Sequence, residues 1–429
     1  MKRSYLIFGF LFLSCLLQAD EVPKTLLLTW EGDPCTTMTA QWLRGPGLGD
    51  RPEKGKGEVV KWKEVQAADW KTLKTSASDF PDPEKLGMAR WGLIQARWYD
   101  LKPDTEYLFK IGEAPAQKFR SAPDHLQKPV VFVEGGDVDV LKTSAQMLKV
   151  GAQEDPLFMS VGGDLAYADG HDVTREIAFW EQWSEAARAP NGRIIPFVAG
   201  IGNHEVKGGY VQEGATYAQM RERAPFFYAL FGGLYRKEEP VALDFGDYLS
   251  LLLMDSGHVL PIPSQTAWLK KNLEMRKLIP WVFASWHVPA FPSFRSWREQ
   301  KEIVQVREQW VPVLEASQVT AVFNHHDHNM QRVETEGQGG RKIPFFGNGA
   351  MGVEARPQQC PESKRLSKAF SQSDYVNVVQ LRADGVTVRS LGSKGDELDR
   401  LEFKKGVLVN STHRQRLPFL FFSLYDCAR

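Results

Sequence analysis

Cysteine is scarce in this sequence, with four residues in a chain of 429. No two of them have the spacing of a zinc knuckle or of a Cys-x-x-Cys redox pair. One disulfide among Cys35, Cys360 and Cys427 can be formed, and its pairing stays open. The chain is also too long to depend on disulfides, because this length can bury a full core and suggests two or three domains.

An excess of charge of either sign is lacking as well. Lysine plus arginine and aspartate plus glutamate number 53 each, so the formal net charge is zero. A broad basic face that holds nucleic acid by counterion release is therefore not expected, and we predict no nucleic-acid partner. Apolar residues at 43% and charged residues at 25% exclude disorder for most of the chain.

Long apolar runs are absent beyond the amino terminus. There, Lys2 and Arg3 precede an apolar run over residues 5–17, and the small Ala19 follows. This run is too short to cross a hydrocarbon core of ~30 Å, so residues 1–19 are interpreted as a cleaved secretory signal peptide. We expect a secreted or periplasmic protein without stable membrane insertion, with lipid attachment at Cys15 as the lesser alternative.

The first part of the remaining chain has a β-rich pattern. Short β-prone runs are separated by glycine, proline and aspartate, which predicts a β-sandwich. Residues 45–57 are rich in glycine, proline and charge and are predicted to form a loop. The β-prone runs are 26–30, 38–42, 92–99 and 107–111.

From residue 130 onwards the pattern changes, because apolar runs end in glycine-rich polar loops and helical spacing follows. This alternation predicts a layered α/β domain with a site beyond the strand ends. The runs that end in polar loops are 130–133, 157–161, 194–198, 281–285 and 319–323. Helices are predicted over 175–187, 265–276 and 299–316, and closing strands over 375–381, 386–391 and 398–403.

Side chains of the kinds that bind metals follow these five runs. Carboxylate, imidazole and amide oxygen suit a pair of borderline-hard cations, and a shared aspartate can bridge two of them. The pattern therefore predicts a binuclear metal site. The residues concerned are Asp137, Asp164, Asn203, His204, His287, His325, His326 and His328.

Five motifs in this order resemble the metallophosphoesterase superfamily, and within it the purple acid phosphatases. The motifs are Gly136-Asp137, residues 163–169, residues 202–205, residues 282–287 and residues 326–328. Residues 100–107 and 119–123 also resemble the last turn and exit strand of fibronectin type III domains. The resemblance implies a fibronectin III-like β-sandwich over 20–123, a four-layer α/β/β/α metallophosphoesterase sandwich over 128–405 and a tail over 406–429.

The resemblance also implies a ligand set for each metal. The first metal, a ferric ion in this family, would be held by Asp137, Asp164, Tyr167 and His328. A phenolate donor at Tyr167 fits a hard trivalent ion. The second, divalent metal would be Zn(II), Fe(II) or Mn(II), and its ligands would be the shared Asp164 with Asn203, His287 and His326.

The activity implied is hydrolysis of small phosphate monoesters, of the acid phosphatase type, with a metal-bound hydroxide as nucleophile. His204 is interpreted as the proton donor to the leaving group, with a structural imidazole as the alternative. Glu205 is expected to orient His204. A phosphodiesterase on the same scaffold is the main rival, and a non-catalytic surface-binding protein is a more distant one.

Three positions depart from the family pattern. Asp139 could bind the first metal, but a position behind the ligands or at the surface is favoured. His325 stands where the family has glycine, so it could reshape the site wall or simply pack or face solvent. Arg295 and Arg298 occupy a segment where plant enzymes carry histidine, so substrate contacts there cannot be carried over.

Overall fold

The computed structural model describes residues 21–51, 53, 55–79, 87, 90–347 and 349–404. The signal peptide predicted over 1–19 and the tail predicted over 406–429 lie outside these described residues. Strands of the described chain assemble into four sheets, two within residues 27–120 and two within residues 130–404.

The amino-terminal part is a sandwich of two antiparallel sheets. Its strands are β1 (Leu27–Thr29), β2 (Met38–Arg44), β3 (Val59–Glu64), β4 (Lys71–Lys74), β5 (Ser76–Asp79), β6 (Gly92–Trp98), β7 (Glu106–Ile111) and β8 (Gln117–Arg120). One sheet has the order β1-β2-β6-β5 and the other β4-β3-β7-β8. The expected β-rich part is therefore present.

Aromatic packing fills this sandwich. The ring of Trp98 lies 5.4 Å from that of Phe109 and 5.2 Å from that of Phe119. The backbone N–H of Lys102 donates to the hydroxyl of Tyr107 at 2.8 Å, which is the tyrosine corner common in immunoglobulin-like sandwiches. Assignment to the fibronectin type III family in particular stays a prediction.

Strands β3 and β4 were not predicted from the sequence. In β3 only Val60 is fully buried, and its neighbours are partly or fully exposed. In β4 three of the four residues are exposed. Strands of this kind lack the apolar alternation by which a half-buried strand is recognised, because they are held by pairing to their neighbours.

The second part contains two mixed sheets. Its strands are β9 (Val130–Gly135), β10 (Met159–Val161), β11 (Phe197–Ala199), β12 (Val241–Phe245), β13 (Leu249–Leu253), β14 (Trp281–Ser285), β15 (Ala321–Phe323), β16 (Met330–Glu336), β17 (Lys342–Gly347), β18 (Ser367–Ser371), β19 (Tyr375–Leu381), β20 (Gly385–Gly392) and β21 (Glu397–Lys404). The first sheet has the order β11-β10-β9-β19-β20-β21, and the second β12-β13-β14-β15-β17-β16-β18.

Parallel pairing brings several strand ends to one edge of each sheet. Strands β9, β10 and β11 run parallel to one another. In the second sheet β13, β14, β15 and β17 are also parallel. The loops that follow β9, β10 and β11 therefore start from one edge, and those that follow β14 and β15 start from one edge of the other sheet.

The two sheets pack face to face, with helices on their outer faces. The helices are α1 (Lys142–Gln153), α2 (Val173–Ala186), α3 (Tyr217–Glu222), α4 (Pro225–Phe231), α5 (Ile262–Met275), α6 (Lys301–Gln309), α7 (Val311–Glu315) and α8 (Pro361–Leu366). Between the sheets, the ring of Phe132 on β9 lies 5.5 Å from that of Phe283 on β14.

The outer faces carry their own apolar contacts. On the first sheet, Gly151 of α1 lies against the side chains of Val133 and Met159. On the second sheet, side chains of α5, α6 and α7 share one buried cluster with Val282 and Val322. Helix, sheet, sheet and helix therefore form four layers, which confirms the predicted architecture.

The helix predicted over residues 299–316 is divided in two. Helix α6 ends at Gln309 and α7 begins at Val311, with Pro312 in the first turn of α7. Proline lacks a backbone N–H and clashes with the carbonyl four residues earlier, so it belongs at a helix start and not inside a helix. The other two predicted helices correspond to α2 and α5 within three residues at each end.

Buried contacts join the two parts of the molecule. Trp30, just beyond β1, is fully buried and meets Phe158 and Phe245 edge to face at 5.9 and 5.5 Å. The side-chain amide of Gln41 donates to the carbonyl oxygen of Leu230 at 3.0 Å. The sandwich is thus anchored to the α/β part through its core.

Two of the three cysteines considered for a disulfide are described. Cys35 and Cys360 are both buried free thiols. Cys427 lies outside the described residues. Among the described helices, none has both the length and the apolar character that a membrane span requires.

A buried carboxyl on α2 predicts a pH dependence of stability. Burial, and then the charge of Glu205, raise the pKa of Glu176 to about 8. The folded state therefore favours the protonated acid. The contribution of Glu176 to the free energy of unfolding is fully present below the unfolded pKa of ~4.3 and is lost as the pH rises towards 8. Glu176→Gln mimics the protonated acid, so its free energy of unfolding at pH 8 should exceed that of the wild type by on the order of 2 kcal/mol or more.

Urea denaturation at pH 5 and pH 8 measures this difference. The gain should be small at pH 5, and the control variant Glu185→Gln, at an exposed position of the same helix, should show no gain at either pH. An equal effect of Glu176→Gln at both pH values would contradict the prediction.

Candidate metal centre

Four of the predicted ligands lie in loops of the first sheet, and one of them is Tyr167, six residues beyond β10. Asp137 lies two residues beyond β9, Asp164 three residues beyond β10 and Asn203 four residues beyond β11. Since these strands are parallel neighbours, their following loops meet at one edge. Both carboxylates are almost completely buried.

Three imidazoles reach the same place from the second sheet. His287 lies two residues beyond β14, and His326 and His328 lie three and five residues beyond β15. The backbone N–H of His326 donates to Oδ2 of Asp137 at 2.7 Å. The strand ends of the two sheets therefore meet at one mouth.

One group of side chains, the asparagine cluster, consists of Asp164, Asn203, His287 and His326. Nε2 of His287 lies 3.1 Å from Oδ2 of Asp164, 3.2 Å from Oδ1 of Asn203 and 3.1 Å from Nδ1 of His326. Donor atoms of Asp164, His287 and His326 all lie within 4.8 Å of one another. Three buried donors this close together can bind one cation.

A second group, the tyrosine cluster, lies beside it and consists of Asp137, Tyr167 and His328. Nε2 of His328 lies 3.0 Å from Oδ1 of Asp137, and the hydroxyl of Tyr167 lies 3.2 Å from that Nε2. The hydroxyl also donates to Oδ1 of Asp137 at 3.3 Å. The structure thus brings together all seven side chains predicted as ligands, in two adjoining groups.

The donor set suits cations on electrostatic grounds. Burial alone would raise the pKa of Asp164, but the charge and hydrogen bond of His287 outweigh it and lower that pKa. Burial opposes charge on His287 too, yet Asp164 and Asp137 raise its pKa to about 9. A positive charge on His287 therefore stabilises the buried carboxylate of Asp164. A bound cation could take over that role, because both chemical types are metal ligands when deprotonated.

Backbone strain accompanies this convergence. Five of the seven predicted ligands have a backbone φ between 53° and 74°, in the left-handed region that residues other than glycine rarely adopt. Such conformations cost about 1–3 kcal/mol each and persist only where surrounding structure imposes them. The five are Asp137, Asp164, Tyr167, His326 and His328.

Glu205 is one source of that constraint. Its buried carboxylate accepts hydrogen bonds from the backbone N–H groups of Gly202 at 2.7 Å and of Asp164 and Leu165 at 2.8 Å. Burial, and then the charge of Asp164, raise the pKa of Glu205 to about 7. Glu205 therefore ties the loop after β10 to the loop after β11.

The expectation that Glu205 orients His204 is wrong. Nδ1 of His204 instead lies 2.5 Å from Oδ1 of Asp169, whereas the carboxylate of Glu205 accepts from three backbone N–H groups. Nε2 of His204 lies 3.9 Å from Oδ2 of Asp164, and the imidazole is about one-third exposed. His204 is thus placed at the open side of the asparagine cluster.

The three positions that depart from the family pattern have identifiable partners. Asp139 forms an ion pair with Arg175, and its place behind the ligands or at the surface stays a prediction. Arg295 donates to Oδ1 of Asp327 at 2.6 Å and to the carbonyl oxygen of His326 at 2.8 Å. His325 is buried, so the solvent-facing alternative is wrong.

Sequence reasoning missed two residues at the site. Asp169 lies in the motif over residues 163–169, but the sequence does not show that its carboxylate contacts His204. Tyr210, whose hydroxyl lies 3.4 Å from Nε2 of His326 and accepts from Gln300 at 2.8 Å, follows two glycines in a loop that carries no metal-ligand pattern. The adjacent glycines were its only signal.

A family model matches part of the chain. Residues 126–330 match the family model described as calcineurin-like phosphoesterase. The chain is 25% identical over 239 residues to the probable purple acid phosphatase 20 of Arabidopsis thaliana, covering 54% of this chain and 53% of that protein. It is 26% identical over 203 residues to tartrate-resistant acid phosphatase type 5 of Sus scrofa, covering 44% and 58% respectively. The chain spans about half the length of such curated relatives.

Solved structures show the fold over a larger share of the chain. The purple acid phosphatase PPD1 of yellow lupin superposes with a TM-score of 0.71 at 14% identity, covering 90% of this chain and 74% of that one. PhoD superposes with a TM-score of 0.61 at 12% identity, covering 90% and 91%. The chain therefore has the metallophosphoesterase fold.

Proposed function

The chain contains a calcineurin-like phosphoesterase domain over residues 126–330, and from this premise we propose that it is an exported, binuclear-metal hydrolase of phosphate monoesters, of the acid phosphatase type. The observation that carries the proposal is the meeting of the asparagine and tyrosine clusters at one mouth of the two sheets. Curated relatives named as acid phosphatases support the same activity.

The two clusters divide the proposed ligands. Asp137, Tyr167 and His328, together with the shared Asp164, would hold a ferric ion. The other members of the asparagine cluster would join Asp164 in holding Zn(II), Fe(II) or Mn(II). When bound, the two cations supply Lewis acidity to a phosphoryl group and lower the pKa of water for the attack.

His204 is proposed to protonate the departing alkoxide. The carboxylate of Asp169 accepts at Nδ1, so that nitrogen carries a proton and Nε2 faces the asparagine cluster. An imidazolium held in this way can deliver the Nε2 proton without turning its ring. The contact of Tyr167 with the ring, at 4.1 Å between centroids, further restricts its orientation.

Export is supported by the basic residues and apolar run that precede Ala19. Amino-terminal sequencing of the purified protein tests it, because cleavage after Ala19 leaves Asp20 first.

Hydrolysis of an aryl phosphate and of its diester analogue tests the proposed activity. We expect the monoester to be the better substrate and two metal ions per chain to accompany activity. Asp164→Asn removes the shared carboxylate charge, so kcat/KM should fall by more than about 100-fold.

Other results would point elsewhere. A higher kcat/KM for the diester would replace the monoesterase with the rival phosphodiesterase. An inactive wild-type protein with a near-empty site would favour the surface-binding protein.

The leaving group provides a sharper test of His204. His204→Ala should lower kcat/KM by about 10²- to 10³-fold for an alkyl phosphate, whose alkoxide needs a proton. The loss should be much smaller for a nitrophenyl phosphate, whose leaving group needs none. His171→Ala, an exposed histidine in the same part of the chain, is the control and should leave both rates unchanged. Equal losses on both substrates would assign His204 a structural role instead.

Tyr167 tests the identity of the first metal. A phenolate bound to ferric iron gives a charge-transfer band in the visible spectrum, so the active protein should be purple or pink. Tyr167→Phe keeps the ring but removes the hydroxyl, and the band should disappear while the divalent metal is retained. A colourless, active and metal-loaded wild-type protein would exclude the ferric site.

A further inference from the structure

The proposed ligands are divided between two separate sheets. Asp137, Asp164, Tyr167 and Asn203 follow strands of the first sheet, whereas the histidine ligands follow strands of the second. The distances between the two sets therefore depend on how one sheet sits on the other. Apolar packing between the sheets, such as Phe132 on Phe283, is non-directional and fixes this position only loosely.

A directional contact also crosses between the sheets. Glu134 on β9 is completely buried, and its Oε1 accepts from Oγ of Ser285 on β14 at 2.8 Å. The same Oε1 lies 3.1 Å from Nε2 of His325, in the loop after β15. Hydrogen bonds are directional, so this contact restrains sliding in a way that apolar side chains do not.

Each member of the link lies next to a proposed ligand in the chain. Glu134 lies three residues before Asp137, Ser285 two residues before His287, and His325 directly before His326. The backbone N–H of His325 also donates to the carbonyl oxygen of His287 at 2.9 Å. A shift of the link would therefore move ligands of both sheets.

The imidazole of His325 also acts as a spacer. A Cβ on Gly136 would lie 2.4 Å from its Nδ1, and a Cβ on Gly162 would lie 2.0 Å from its Nε2. The ring thus occupies the space that these two glycines leave open. Gly136 directly precedes Asp137, so the ring supports one loop that carries a ligand of the first sheet.

Apolar side chains of similar volume would stabilise this part of the core more than the link does. Oε2 of Glu134 and Nδ1 of His325 have no hydrogen-bond partner among the described residues. A partly satisfied buried polar group is generally less stable than apolar side chains of similar volume. Stability alone therefore does not account for these side chains.

We propose that Glu134, Ser285 and His325 form an inter-sheet link that positions the ligands of the two sheets and thereby sets the affinity for divalent metal. They are positioning residues and touch no substrate. The inference rests on the metal centre of the proposed function.

Two serines provide a matched test. Oγ of Ser285 donates across the sheets to Glu134, whereas Oγ of Ser390 on β20 donates within the first sheet to Asn377, and both distances are 2.8 Å. Both serines are buried. Full-length mature protein loaded with Zn²⁺ is dialysed against graded Zn²⁺–chelator buffers, and retained zinc is measured by elemental analysis.

Ser285→Ala should weaken Zn²⁺ binding by about tenfold, as loss of a residue that supports metal ligands commonly does. Ser390→Ala should lower the melting temperature to a similar extent but leave Zn²⁺ binding within threefold of the wild type.

Two substitutions at Glu134 separate hydrogen bonding from packing. Glu134→Gln keeps an oxygen acceptor and should retain Zn²⁺ within about threefold of the wild type. Glu134→Leu fills similar volume without an acceptor and should weaken binding by about 10- to 100-fold. Should the leucine variant fail to fold, the serine pair still decides.

The outcomes distinguish this inference from the proposed function. If the wild type binds zinc and hydrolyses phosphate esters, and Ser285→Ala binds zinc equally well, the link alone is overturned. Equal loss of zinc in both serine variants also overturns it, since general destabilisation would then suffice. Wild type that takes up no zinc overturns the metal centre and the link together.

Discussion

The structure depends on two carboxylates buried where two sheets meet. Asp137 and Asp164 are almost inaccessible to solvent, and burying an ionised carboxylate without compensation is very costly. The charge partners of these two aspartates among the described residues are the imidazoles of His204, His287 and His328. The site therefore requires compensation close to these aspartates, and imidazoles from loops of both sheets lie against them.

The same requirement explains the strained backbone. A carboxylate can point out of the sheet into the mouth only if the chain turns sharply after the strand, and Asp137 and Asp164 do so with φ of 58° and 55°. Close approach of the loops follows, because a Cβ on Gly202 would lie 2.3 Å from Oδ1 of Asp164. Glu205 then offsets the strain by accepting three backbone hydrogen bonds from these loops. The sharp turns at Asp137 and Asp164, the glycine at position 202 and the hydrogen bonds of Glu205 all follow from one requirement, that the carboxylates point out of the sheet.

Local pattern explains what the sequence could predict. Apolar runs before Gly-Gly-Asp and before His287 and His326 predict strand ends, and the ends of parallel strands converge, so local pattern predicts a metal site there. The assignment of seven ligands, with Tyr167 among them, comes from the family resemblance and not from this pattern. Helical spacing alone does not show the break in residues 299–316, whereas Pro312 marks it. Partnerships such as His204 with Asp169, 35 residues apart, depend on the fold and have no local signature. The exposed strands β3 and β4 were missed for the related reason that pairing, not periodicity, defines them.

A single departure from a family motif can depend on distant positions. The resemblance places glycine at position 325, and a histidine there needs both space and a hydrogen-bond partner. Gly136 and Gly162 leave the space, and Glu134, 191 residues away, provides the partner. Neither glycine could carry a side chain beside this ring, and Glu134 without the ring would keep only Ser285. The structure thus indicates that the unusual histidine of the last motif and the buried carboxylate of Glu134 belong together, because each occupies a buried position that the other makes tolerable.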